Sequence, residues 1–94
     1  MEIKPSTREG KKYMAIFQNP KKTVHFGSAG MKDYTLSNGD EEAKKMRERY
    51  RTRHAKDLET NDPRRAGFLS YYILWGNSPN LQTNIRDFKS RFNV

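Results

Sequence analysis

The stretch MRERYRTRH, residues 46–54, carries an arginine at every second position: Arg47, Arg49, Arg51 and Arg53. On a strand this spacing would gather all four guanidinium groups on one face, whereas a helix would spread them around its axis. The apolar residues decide. Ala43, Met46, Tyr50, His54 and Leu58 recur three or four positions apart, which is the period of a helix face. Strand alternation would instead set Met46, Tyr50, His54 and Leu58 beside Glu48 and Thr52. Asp40 is a good N-cap, and Glu41 and Glu42 add negative charge to the first turn. Residues 40–58 are therefore predicted to be helical.

At about 100° per residue the arginines fall on both sides of that apolar stripe. Lys45, Arg49, Arg53 and Lys56 make one ribbon, and Lys44, Arg47 and Arg51 make another. Two interpretations compete. Cations beside an apolar seam can simply snorkel into water. They can also contact phosphate, for which arginine's planar fork is better suited than lysine. Arg64 and Arg65 follow at the predicted start of the next helix, where free N–H groups favour anions.

Upstream, residues 11–18 (KKYMAIFQ) and 21–28 (KKTVHFGS) alternate like strands around the turn-forming pair Asn19-Pro20, so they are expected to form a hairpin. Tyr13, Ala15 and Phe17 share one face, as do Val24 and Phe26. Residues 33–36 (DYTL) are expected to add a short third strand. Residues 1–10 show no periodicity and are expected to be a flexible arm before a single domain, residues 11–94. Downstream, Asp62 and Pro63 open a second helix, residues 63–75, which is apolar nearly all round and so buried. Ser78 and Pro79 open a third, in which Leu81, Ile85, Phe88 and Phe92 form an amphipathic stripe with Arg86, Lys89 and Arg91 away from it. The predicted fold is α+β: an N-terminal antiparallel hairpin or small sheet packed on three helices, the middle one buried.

Composition narrows the function. The 94 residues carry 19 Lys and Arg against 11 Asp and Glu, a net charge of +8. The surplus is spread along the chain: +4 over residues 1–39, then +2 and +2 over residues 40–58 and 59–94. The pI is near 9.9 and the mean hydropathy is −1.12. Such a balance favours polyanionic partners, nucleic acid first. Cysteine is absent, which excludes disulfides and thiolate metal sites. A zinc site would need His25, His54 and carboxylates such as Asp33 or Glu59, and their spacing does not support one. No cofactor is expected. No signal peptide or membrane-length apolar run is visible, so a soluble intracellular protein without membrane contact is expected. Tyr71, Tyr72 and Trp75 are expected in the core, and Tyr34 is the better candidate for an exposed aromatic.

The blocks TVHFGSAGMKDYT, RYRTRH and LSYYILWG, followed by FKSRF, resemble a family of small proteins of large nucleocytoplasmic DNA viruses, especially the marseillevirus and phycodnavirus versions. The resemblance spans roughly residues 11–92. It implies no established enzymatic role and no catalytic residues. It implies a viral setting: a cytoplasmic factory, the host nucleus or the virion. A looser similarity links the hairpin and Arg-rich helix to GIY-YIG nucleases, with Tyr13, Arg47 or Arg51, and Glu59 as stand-ins. However, GIY is absent and His25-Phe26 replace the second signature.

The expected function is thus non-enzymatic binding of nucleic acid, duplex DNA foremost, with little sequence preference. The residues expected to contact phosphate are Lys44, Lys45, Arg49, Arg51, Arg53, Lys56, Arg64, Arg65, Arg86 and Lys89. The alternative is a virion structural or host-interaction protein whose basic face meets an acidic viral or host protein. Homodimerisation is compatible with either.

Overall fold

The central hairpin follows from alternate apolar positions. β2 (Lys11–Phe17) and β3 (Lys22–Ser28) pair antiparallel, with Tyr13 opposite Phe26 and Ala15 opposite Val24. The computed structural model describes all residues, 1–94. Ala15, Phe17 and Phe26 are buried on the sheet face that joins the helical core. A turn with a cis Asn19-Pro20 bond links the strands.

The third strand comes from the other end of the hairpin than expected. β1 (Glu2–Pro5) pairs antiparallel with β2, with Ile3 opposite Ala15, giving the sheet order β1-β2-β3. The first ten residues are therefore not simply a flexible arm. Ser6 N–H donates to the Lys12 carbonyl at 3.0 Å, and the Met1 amine donates to the Val94 carbonyl at 3.3 Å. The sequence hid this because within β1 only Ile3 packs against the core cluster, so the strand itself has no alternation to read. Pro5 sits at the end of an edge strand, where a missing N–H is tolerated.

Residues 33–36 do not form a strand. The Asp33 carboxylate accepts the Thr35 N–H at 2.8 Å and turns the chain into a 3-10 turn, Tyr34–Leu36. Tyr34 is 4% exposed, so it anchors the loop instead of offering a free ring. Asp33 is itself buried, and Lys12 Nζ pairs with its carboxylate and reaches the Met31 carbonyl.

Helix α1 (Glu41–His54) begins at the expected cap: the Asp40 carboxylate accepts the Ala43 N–H at 2.8 Å. It ends sooner than expected and tightens into 3-10 turns over Ala55–Thr60. The next helix also starts later than Pro63. Asp62 accepts the Arg64 N–H at 2.9 Å and holds residues 62–64 as a turn, so α2 opens at Ala66 (Ala66–Leu69). It runs on as a wider π turn, Ser70–Leu74, in which Trp75 N–H reaches the Ser70 carbonyl at 3.0 Å. Phe68, Leu69, Tyr71, Ile73 and Leu74 are all buried, as an all-round apolar helix requires. Helix α3 (Leu81–Phe92) is capped by Asn80, not Ser78; Asn80 accepts the Thr83 N–H at 2.9 Å. Phe88 from α3 completes the core cluster.

The end of the buried helix leaves carbonyls without helical partners, and other elements supply them. Asn84 Nδ2 donates to Ile73 O at 2.9 Å and Ser78 O at 2.7 Å. Arg51 donates to Trp75 O at 2.8 Å and Arg47 to Gly76 O at 2.6 Å. The buried Asn84 side chain thus ties α3 to this segment. Asn84→Ala is expected to cost about 2 kcal/mol, because the two carbonyls lose their donor. The shift of the urea midpoint at unchanged slope measures it.

Candidate functional site

A cleft of about 790 Å³ opens between the loop after β3 and the side of α1. Lys11, Lys12, Gly27, Ser28 and the Gly30 to Asp33 segment, which includes Lys32, form one side. Met46, Arg49, Arg53, His54 and Asp57 form the other. Its deeper lining includes Phe26, Tyr50, Leu74 and Trp75, supplied by the hairpin, α1 and the π turn.

The charges on this lining are unevenly matched. Lys12 is paired with Asp33, and His54 Nδ1 lies 3.2 Å from Asp57 Oδ2. Lys11, Lys32, Arg49 and Arg53 are exposed and belong to no ion pair. Four cations on one concavity repel one another, and an anion placed among them relieves that repulsion.

Below them lies an aromatic stack. Tyr50 packs on Trp75 with centroids 4.6 Å apart and planes 11° apart, and His54 packs on Tyr50 at 4.2 Å. His54 is therefore half-buried at the cleft and not the interior core histidine its position in the stripe suggested. Burial pushes the Tyr50 phenol above its ordinary value and the negative charge of Asp57 adds to this; a Ser70 hydrogen bond and Arg53 oppose it. Burial raises Tyr13 too, with Asp33 adding.

The sign of the pH effect follows. A phenol raised in the folded state stabilises fully below the unfolded value of about 10, and that contribution is lost as pH climbs through the folded value. Stability is expected to fall in alkali as pH rises from about 10 through the folded value, and to level off above it. Tyr50→Phe is expected to flatten the fall, measured by urea midpoints on either side of it.

The cations nominated from sequence divide sharply. Arg49 and Arg53 line the cleft. Arg51 does not: it donates to Trp75 O and lies 4.2 Å over the Tyr71 ring. Two of the three members of the ribbon Lys44, Arg47 and Arg51 are thus structural, since Arg47 is also spent on Gly76 O and on Asn77 Oδ1 at 2.7 Å. Arg64 donates to Gln18 O at 3.3 Å and lies 5.2 Å over Phe17, bracing the hairpin turn. Arg65 pairs with Asp62 at 3.5 Å and Lys44 with Glu41 at 3.6 Å. Lys45, Lys56, Arg86 and Lys89 are exposed but do not line the cleft.

Sequence reasoning missed Lys11, Lys12 and Lys32. A signal was available: a lysine pair opening a strand, and a third lysine just after the glycines of GSAGMKD. The nuclease stand-ins Tyr13, Arg47, Arg51 and Glu59 do not line the cleft. His25 does not line the cleft, and its Nδ1 lies 2.7 Å from Ser6 Oγ. No helix is long and apolar enough to cross a membrane.

Residues 1–54 match the profile of a family of unknown function, DUF5754. The chain belongs to the DUF5754 family. The matched residues run from β1 to the last residue of α1, so the DUF5754 match carries every unpaired cation of the cleft. No curated protein and no solved structure matches this DUF5754 chain.

Proposed function

We propose that this DUF5754 chain is a non-enzymatic nucleic-acid-binding protein that grips phosphates through the cationic cleft, with little sequence preference. One observation carries the reading: Lys11, Lys32, Arg49 and Arg53, exposed and unpaired, meet around one concavity with an aromatic interior. Phosphate contacts give affinity without sequence information. The resemblance to proteins of large DNA viruses gives the proposal its setting, an infected cell's viral factory or nucleus, or the virion.

The test is a salt series with a fluorescent oligonucleotide. Four phosphate contacts imply that log K falls against log salt with a slope of about −3. Affinity that stays flat across the series overturns the reading.

An acidic protein partner is the second reading. It is favoured by Met31 on the cleft rim and nearby Leu36, which are 63% and 66% exposed. Capture of a partner that survives nuclease treatment and is displaced by polyglutamate, but not by oligonucleotide, would select it.

A further inference from the structure

The cleft also bears on which form of nucleic acid enters, an inference that rests on the nucleic-acid reading above. A duplex is a convex cylinder, and a helix that reads it must protrude into a major groove about 12 Å wide. Helix α1 offers no such unencumbered cationic face. Ala43, Met46 and Tyr50 pack against the core, Arg47 and Arg51 clamp residues 75–77, and Arg49 and Arg53 form the cleft wall. The remaining exposed positions, Glu41, Glu42, Lys44, Lys45, Glu48 and Thr52, are of mixed charge.

The cleft has the opposite shape and a graded chemistry. Its volume of about 790 Å³ lies in the range that encloses small organic ligands, so a nucleotide fits and a duplex does not. Exposed cations stand at its mouth, while Phe26, Met46, Tyr50, Leu74 and Trp75 supply apolar surface further in. His54, Asp57 and Ser70 add hydrogen-bonding groups to that lining. Gly30 and Gly67 both belong to this lining. A Cβ at Gly30 would meet nothing within 4 Å, and one at Gly67 would come within 2.9 Å of Asp57 Oδ2.

A single strand presents the matching pattern, with charged phosphates outside and an unpaired aromatic base free to turn inward. A base-paired nucleotide cannot present its base this way without being flipped out. We infer that the cleft takes an unpaired nucleotide of a single strand, base inward, with the flanking phosphates on Arg49 and Arg53 on one side and Lys11 and Lys32 on the other.

The single tryptophan makes this testable, because Trp75 lines the cleft. The full chain is titrated with oligothymidylate of about ten nucleotides and with a duplex of equal phosphate count at one salt concentration. The single strand is expected to change Trp75 fluorescence and to bind about 10-fold tighter than the duplex. Ala66→Phe, which places a ring at an exposed lining position and keeps every charge, is expected to weaken single-strand binding about 10-fold and duplex binding by much less. Circular dichroism confirms that the variant is folded, and Ala66→Leu serves in its place if it is not. Equal or tighter duplex binding, with Trp75 fluorescence unmoved, overturns the single-strand inference while the nucleic-acid reading stands. Failure of both probes to bind overturns both.

Discussion

Replacing Arg49 and Arg53 together by glutamate is expected to lower affinity for a single strand by about 100-fold or more at low salt. Two phosphate contacts are lost and two like charges are placed against the strand. The salt slope should fall by about 1.4, the share of two contacts on single-stranded nucleic acid. Fold stability should change by no more than about 0.5 kcal/mol, since both side chains are exposed and unpaired. Removing Arg51, which lies between them in the chain but on another side of the same helix, should do the reverse. Arg51→Ala strips a donor from Trp75 O and a cation from the Tyr71 ring, so it should destabilise the fold while leaving binding by the folded fraction largely intact. Anisotropy titrations paired with urea melts separate the two arginines. Equal losses of binding from both variants would contradict the division of α1 into a clamp side and a cleft side.

The largest expected effect on stability lies at Gly76. A methyl group there would collide with the Tyr72 carbonyl oxygen and come within 2.9 Å of Asn84 Cγ. Both neighbours are fixed. Tyr72 O is backbone within the π turn, and Asn84 is held by Ile73 O and Ser78 O. Gly76 O is also the acceptor for Arg47. Gly76→Ala must therefore displace the end of the buried helix or break the Asn84 network. The expected cost is about 3 kcal/mol or more, a large share of the roughly 5–15 kcal/mol that holds a small domain together. A melting temperature within a degree or two of the parent would show that the segment can move aside cheaply.

The fold was legible wherever a period repeated. Tyr13, Ala15 and Phe17 at alternate positions gave the hairpin, and Ala43, Met46 and Tyr50 gave α1 against the pull of alternate arginines. The all-round apolar run gave the buried helix. What escaped was held by single polar contacts or by backbone pairing. β1 rests on a ladder with only Ile3 to mark it. The turn at Tyr34 depends on one carboxylate that captures a backbone N–H and a lysine 21 positions away. The late start of α2 depends on Asp62 taking the Arg64 N–H.

The site was half legible for a related reason. Helical angles assigned Arg49 and Arg53 to a side apart from Arg47 and Arg51. They could not say that carbonyls 75 and 76 would face the second pair. The opposite wall comes from Lys11 and Lys32, far away in sequence, and reaches α1 only through the loop that Lys12 and Asp33 pin down. The aromatic interior was read as core, and Tyr71 is. Trp75 is core too, yet it also lines the cleft, which no periodicity distinguishes.

Amide chemical-shift mapping during titration with a single-stranded oligonucleotide tests the cleft most directly. Shifts are expected to concentrate at residues 11–12, 27–33, 49–57 and 66–67 and at the Trp75 indole. The outer sheet face around Ile16 and Thr23, and the α3 positions Arg86 and Lys89, should stay near their free values. Shifts centred on α3 or on the outer sheet face, with residues 27–33 and 49–57 unmoved, would contradict a binding site in the cleft.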